Sequence, residues 1–240
     1  MFKINTTSGI ERGGDIMKKG IILTIVALFA LGAAAVATPV STTIYSNPAG
    51  FYNVVAPPVV PFNPAPADVF KKSGGAPIDL SGGKLYRWDA ATQGMILYDP
   101  DTPEDFGGIL LGDGYCLLAV ESDNFIWQYD GAPDGLPDSG NNMTDMWISL
   151  PLAGATLFGH PFNHSVPLAN CFVTDGTQTV SFAQAAAAGW VDAWVWGWDA
   201  EGQGFIMVTP DDPDYPDLVP FHGYQIQSYV DNLALIIPAQ

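Results

Sequence analysis

Beyond Arg87 the sequence contains no lysine and no arginine. The 8 basic residues all lie at or before that position, against 25 acidic ones, for a net charge of −17. The C-terminal part therefore has no Lys or Arg to pair with its carboxylates. Nucleic-acid binding is disfavoured, because neutralising phosphates needs Lys and Arg. A folded surface of this composition carries a negative field, which favours solubility and gathers cations. Charge is scarce altogether, at 14% of residues, well below the usual quarter. Catalytic signatures are also missing. There is no Gly-x-Ser-x-Gly, no Cys–His pairing, no phosphate loop and no zinc motif. Apolar residues make up 48%, so a packed core is available and global disorder is disfavoured.

Near the N-terminus, Met17-Lys18-Lys19 forms a positive n-region, Gly20 to Gly32 an apolar h-region, and Ala35-Val36-Ala37 a small-residue cleavage site. This is the secretory signal pattern, and the apolar run is shorter than the ~20 residues a membrane span needs. Residues 17–37 are read as a signal peptide, with the mature chain starting at Thr38. Residues 1–16 do not fit it and are read as an upstream extension, with Met17 as the true start. Without Lys3, Arg12, Lys18, Lys19, Glu11 and Asp15, 4 basic and 23 acidic residues remain, a net of −19. No second apolar span follows, so the expected product is a secreted, extracellular or cell-surface bacterial protein.

Within the mature chain one stretch recurs. Trp88-Asp89-Ala90 and Gln93-Gly94 return as Trp198-Asp199-Ala200 and Gln203-Gly204, and Gly114-Tyr115 returns as Gly223-Tyr224. Each copy reads as a hairpin: a strand to the tryptophan, a Gly-containing turn, then an apolar strand at Met95–Tyr98 or Phe205–Val208. Further strands are expected at Phe51–Val55, Tyr115–Val120, Phe125–Tyr129, Met146–Leu150, Tyr224–Val230 and Leu233–Ile237. Phe51–Pro57 is matched to Asp145–Pro151 as the opening strand of each copy. Short helices are expected at Ala65–Lys71 and at Ser181–Ala188, the latter on a Ser cap. Frequent turns, short strands and little helix predict an all-β fold. The expected architecture is two tandem small β-sandwich or open-barrel units, related by internal duplication, each with a short helix. The units span 38–130 and 145–240, joined by a Gly/Pro/Asp linker at 131–144.

With Trp147-Ile148-Ser149-Leu150-Pro151-Leu152 and Gly223-Tyr224-Gln225-Ile226 in view, the second unit resembles a repeat module of bacterial secreted and surface proteins. That module runs from a "GWNLISLPL"-type strand to a "GYW"-type strand. The first unit matches less closely, and the tryptophan after Gly-Tyr is Cys116 or Gln225 here. The resemblance implies an accessory or architectural β domain and carries no catalytic residues.

Four sets of residues are candidates for chemistry. Trp194, Trp196 and Trp198 alternate and share one strand face. Trp196 and Trp198 align with Tyr86 and Trp88, which points to core packing. Trp190 and Trp194 have no aromatic counterpart and are the candidate ligand-binding residues, as a platform for sugar rings. Asp211, Asp212 and Asp214 in an acidic loop are candidate Ca²⁺ ligands, although Pro213 interrupts them and no EF-hand spacing is present. His160, His164 and His222 read as loop residues. Cys116 and Cys171, one per unit, are either bridged or buried as free thiols. The expected function is a non-enzymatic architectural or cell-surface role, with matrix components or polysaccharide as partners and no cofactor beyond Ca²⁺. The alternatives are a carbohydrate-binding module and, behind it, a glycoside hydrolase.

Overall fold

The computed structural model describes residues 38–132 and 144–239. The expectations for the extension 1–16, the signal peptide 17–37 and most of the linker 131–144 fall outside these residues.

Short runs with alternating burial build the first half. Its strands are β1 (Thr38–Ile44), β2 (Phe51–Val55), β3 (Val60–Pro61), β4 (Leu85–Asp89), β5 (Gly94–Leu97), β6 (Tyr115–Ala119) and β7 (Phe125–Ala132). They form two antiparallel sheets, ordered β1-β7-β3 and β2-β6-β4-β5. In β6, Tyr115, Leu117 and Ala119 are buried while Cys116 and Leu118 are half-buried. Period-two patterning of this kind turns one side chain in two toward the core. That core is drawn from both sheets: Val40, Ile44, Trp127 and Tyr129 meet Leu85, Tyr115 and Leu117. Trp127 is its anchor. Its ring stacks on Phe70 at 5.1 Å and on Tyr129 at 5.4 Å, and its indole N–H donates to Val69 O at 2.8 Å. A ring buried with its polar atom satisfied stabilises by about 2–3 kcal/mol.

The second half contains β8 (Met146–Leu150), β9 (Gly154–Gly159), β10 (Val166–Pro167), β11 (Phe172–Thr174), β12 (Thr179–Ser181), β13 (Val195–Asp199), β14 (Gly204–Val208), β15 (Asp217–Leu218), β16 (Gly223–Ser228) and β17 (Leu233–Ile237). Its sheets are ordered β12-β11-β17-β8 and β14-β13-β16-β9, with a small β10-β15 pair. A second core lies between them, where Ile148, Leu150, Leu235 and Ile237 face Val195, Val208, Tyr224 and Ile226. The helix Phe182–Ala187 closes one side. Ser181 Oγ accepts from Gln184 N, and Gln184 Oε1 accepts from Ser181 N, a complete capping box.

The fold is all-β and antiparallel, and the described residues belong to one compact unit. The hairpins share a register: Trp88 faces Met95 and Asp89 faces Gly94, as Trp198 faces Phe205 and Asp199 faces Gly204. One expected match is corrected. Phe51–Val55 pairs with β6 as Gly154–Gly159 pairs with β16, so β2 corresponds to β9. Met146–Leu150 pairs with β17 as Thr38–Ile44 pairs with β7, so β8 corresponds to β1. Two adjacent strands of like alternation are interchangeable by period alone, and only the pairing separates them.

Candidate functional site

The recurring stretch is a reciprocal clasp between the halves. The Trp88 indole N–H donates to Ala155 O at 2.9 Å, on β9 of the second half. The Gln93 amide donates to the same oxygen at 2.9 Å and accepts from Ala155 N at 2.9 Å. In the other direction, the Trp198 indole N–H donates to Tyr52 O at 2.8 Å, on β2. The Gln203 amide donates to that oxygen at 2.9 Å and accepts from Tyr52 N at 2.9 Å. Each glutamine thus stands in for a missing strand, satisfying both backbone groups of an edge residue. Both glutamines sit at φ +53°, where the turn aims the side chain across the gap. The aspartates fasten the turns from within: Asp89 accepts from Ala91 N, and Asp199 from Glu201 N, both at 3.0 Å. The Asp89 carboxyl is held below the usual range, first by the Thr92 hydroxyl and then by the Ala91 N–H.

Gly-Tyr recurs for two further reasons. A Cβ on Gly114 would lie 2.8 Å from Leu157 Cγ and from Phe158 O, and one on Gly223 would lie 2.8 Å from Val54 Cγ1. The halves approach too closely there for any side chain. The following tyrosine ties down its own loop, since Leu110 N donates to Tyr115 Oη at 2.7 Å and Val219 N to Tyr224 Oη at 2.8 Å. Backbone bridges Val55–His222 and Asp113–Phe158 complete the seam.

Between the two clasps lies an apolar cleft of about 210 Å³. Most of its lining comes in matching pairs, Tyr52 and Ala155, Val54 and Leu157, Trp88 and Trp198, Met95 and Phe205, Cys116 and Gln225, and Trp196, Gly197 and Gly223 of the second half complete it. Its rim is exposed, with Phe205 68% accessible and Met95 51%. None of the lining residues is charged. Exposed apolar side chains grouped around a concavity mark a binding surface far more often than scattered ones do.

The tryptophan expectations are corrected here. Trp196 and Trp198 do not enter the core. In β13 it is Val195 and Gly197 that are buried, and the even-numbered face turns outward, leaving Trp196 37% accessible. Trp190 and Trp194 are both half-buried. Trp190 packs against the second core, and its carbonyl accepts from Tyr229 N at 2.8 Å. Trp194 is half-buried and meets Trp196 edge-on at 6.4 Å, continuing to Phe205 and Trp198. Its indole N–H is buried without a partner among the described residues. These rings cross at 71–84° rather than lying flat.

The other candidates separate. Asp212 Oδ1 accepts from Asp214 N at 2.8 Å and Tyr215 N at 3.0 Å, so this carboxylate serves its own turn. Among the described residues no three His, Cys, Asp or Glu side chains converge as metal ligands, and Asp211, Asp212 and Asp214 are no exception. The bridge alternative for the cysteines is overturned, because both thiols are free. Cys171 is sealed in the second core while Cys116 lines the cleft. A disulfide requires the two Cβ atoms about 4 Å apart. Burial raises the Cys116 thiol to about 11 and Cys171 to about 12.

His160 is a loop residue as expected but fully buried, a point the sequence did not reveal. Its Nε2 pairs with His164 O at 2.6 Å, and burial lowers its pKa to about 4. Asp113, on the seam, is held above the usual carboxylate range by burial, partly offset by Arg87.

Compared with known proteins, the chain matches no family model, no curated protein and no solved structure.

Proposed function

We propose that this is an exported, acidic, non-enzymatic β protein with an architectural role at the cell surface, built from two diverged copies of one sandwich. The observation that supports this reading is the reciprocal clasp. The tryptophan, aspartate and glutamine side chains that make the chain distinctive all engage backbone groups, in the turn or in the other half. Residues so engaged serve assembly rather than turnover. The signal pattern at 17–37 and the resemblance to secreted and surface modules point the same way. A carbohydrate platform is less well supported, because rings crossed at steep angles offer no extended flat face to a sugar chain.

Expression of the full chain followed by fractionation tests the reading. The protein should be recovered outside the cytoplasm, beginning at Thr38, in the cell-surface fraction. Full-length chain confined to the cytoplasm would contradict it. A glycan array supplies the discriminating control: specific binding lost in Trp194→Ala would favour the carbohydrate alternative. Hydrolysis of aryl glycosides that disappears in Asp113→Asn would favour an enzyme.

A further inference from the structure

We propose that the cleft between the clasps is a binding site for a small, neutral molecule carrying one apolar ring. This inference does not depend on the architectural role. Size limits the occupant first. An apolar protein cavity of about 150 Å³ already binds benzene. At about 210 Å³ the cleft has room for a ring with one or two small substituents.

Chemistry limits it next. Trp88 and Trp198 line the cleft, yet their indole N–H groups are held by Ala155 O and Tyr52 O, so they present hydrocarbon rather than donors. Val54, Leu157, Met95 and Phe205 extend that surface. Gln225 is the one amide among the lining side chains and stands where the first half has Cys116. Tyr52 and Trp196 also line the cleft, so a few neutral polar groups interrupt its hydrocarbon surface, which suits a ring with a small uncharged polar substituent such as a hydroxyl. Charge limits it last. No lining side chain is charged, and no Lys or Arg occurs after position 87. An anion entering the cleft would lose hydration without gaining a partner and would meet a negative field. Clasps at both ends fix the walls, so the site exists before the ligand arrives.

Isothermal titration with 4-methylphenol and 4-methylbenzoate tests this on the secreted protein. The phenol should bind one per chain with Kd on the order of 0.1–1 mM, and the benzoate at least tenfold more weakly. Cys116→Phe fills the cleft and should weaken phenol binding at least tenfold. Phe205→Ala removes an exposed wall without touching either core and should weaken it about threefold with Tm unchanged. No phenol binding at 5 mM, equal binding of the anion, or binding unaffected by both substitutions would each overturn the proposal. Sedimentation at rising concentration covers the remaining occupant. A dimer whose formation abolishes phenol binding would assign the cleft to a second copy and overturn the small-molecule site.

Discussion

Gln93→Gly separates a clasp from an ordinary turn. Gln93 sits at φ +53°, a conformation that costs an L-residue about 1–2 kcal/mol and glycine almost nothing. If the residue only turned the chain, glycine would stabilise the protein by about 1 kcal/mol. The Gln93 side chain, however, bonds Ala90 O at 2.7 Å, Ala155 O at 2.9 Å and Ala155 N at 2.9 Å. Each such bond contributes about 0.5–1.5 kcal/mol net. Losing three outweighs the backbone relief, for a net destabilisation of about 1–3 kcal/mol. In a chain of this length each kcal/mol lowers Tm by about 2–4 °C, so thermal unfolding should shift down by roughly 2–12 °C. Gln203→Gly should do the same more weakly, because its partner Tyr52 is 46% accessible and water can replace the lost bonds. A Tm that rises in Gln93→Gly would refute the reasoning.

Acid should weaken the fold through His160. Its folded pKa of about 4 lies below the ordinary 6.5, so the unfolded chain takes up the proton first. Stability from this group is complete above about pH 6.5, falls as the pH drops toward 4 and levels off below, for a total of about 3 kcal/mol. Urea midpoints at pH 7 and pH 4.5 should show the loss, and His160→Gln should flatten that slope. Under denaturing conditions a thiol titration should count two free thiols, with native Cys116 alkylated before the sealed Cys171; a mass lower by two hydrogens would restore the bridge. Ser181→Ala removes the capping box and should cost about 1 kcal/mol of stability in urea unfolding; an unchanged midpoint would show that the helix does not depend on its cap.

Local pattern carried much of the fold into the sequence. The hairpin strands, Tyr115–Val120, Tyr224–Val230 and the terminal Leu233–Ile237 were legible because alternation and turn residues agree there. So was the Ser-capped helix. Strands of two or three residues such as β3, β10, β11 and β15 were not, since a period cannot be read over so few positions. The direction of the tryptophan face was misread for a different reason. Alternation groups Trp194, Trp196 and Trp198 but does not say which face meets the core, and small, buried Val195 and Gly197 fill that side. Recurrence of Trp, Gln and Gly-Tyr singled out these residues, but as hairpin and core positions rather than as a clasp. Their purpose was hidden, because the partners that make the clasp lie in the other half, at Tyr52, Ala155, Val54 and Leu157.

Hydrogen exchange at two backbone amides tests the reciprocal clasp most directly. Tyr52 N and Ala155 N lie on the strands that end their sheets and donate to the side chains of Gln203 and Gln93. In the intact protein both should be strongly protected. In Gln93→Gly, Ala155 should lose protection while Tyr52 keeps it, and Gln203→Gly should give the mirror result. Unchanged protection of Ala155 in Gln93→Gly would contradict the account.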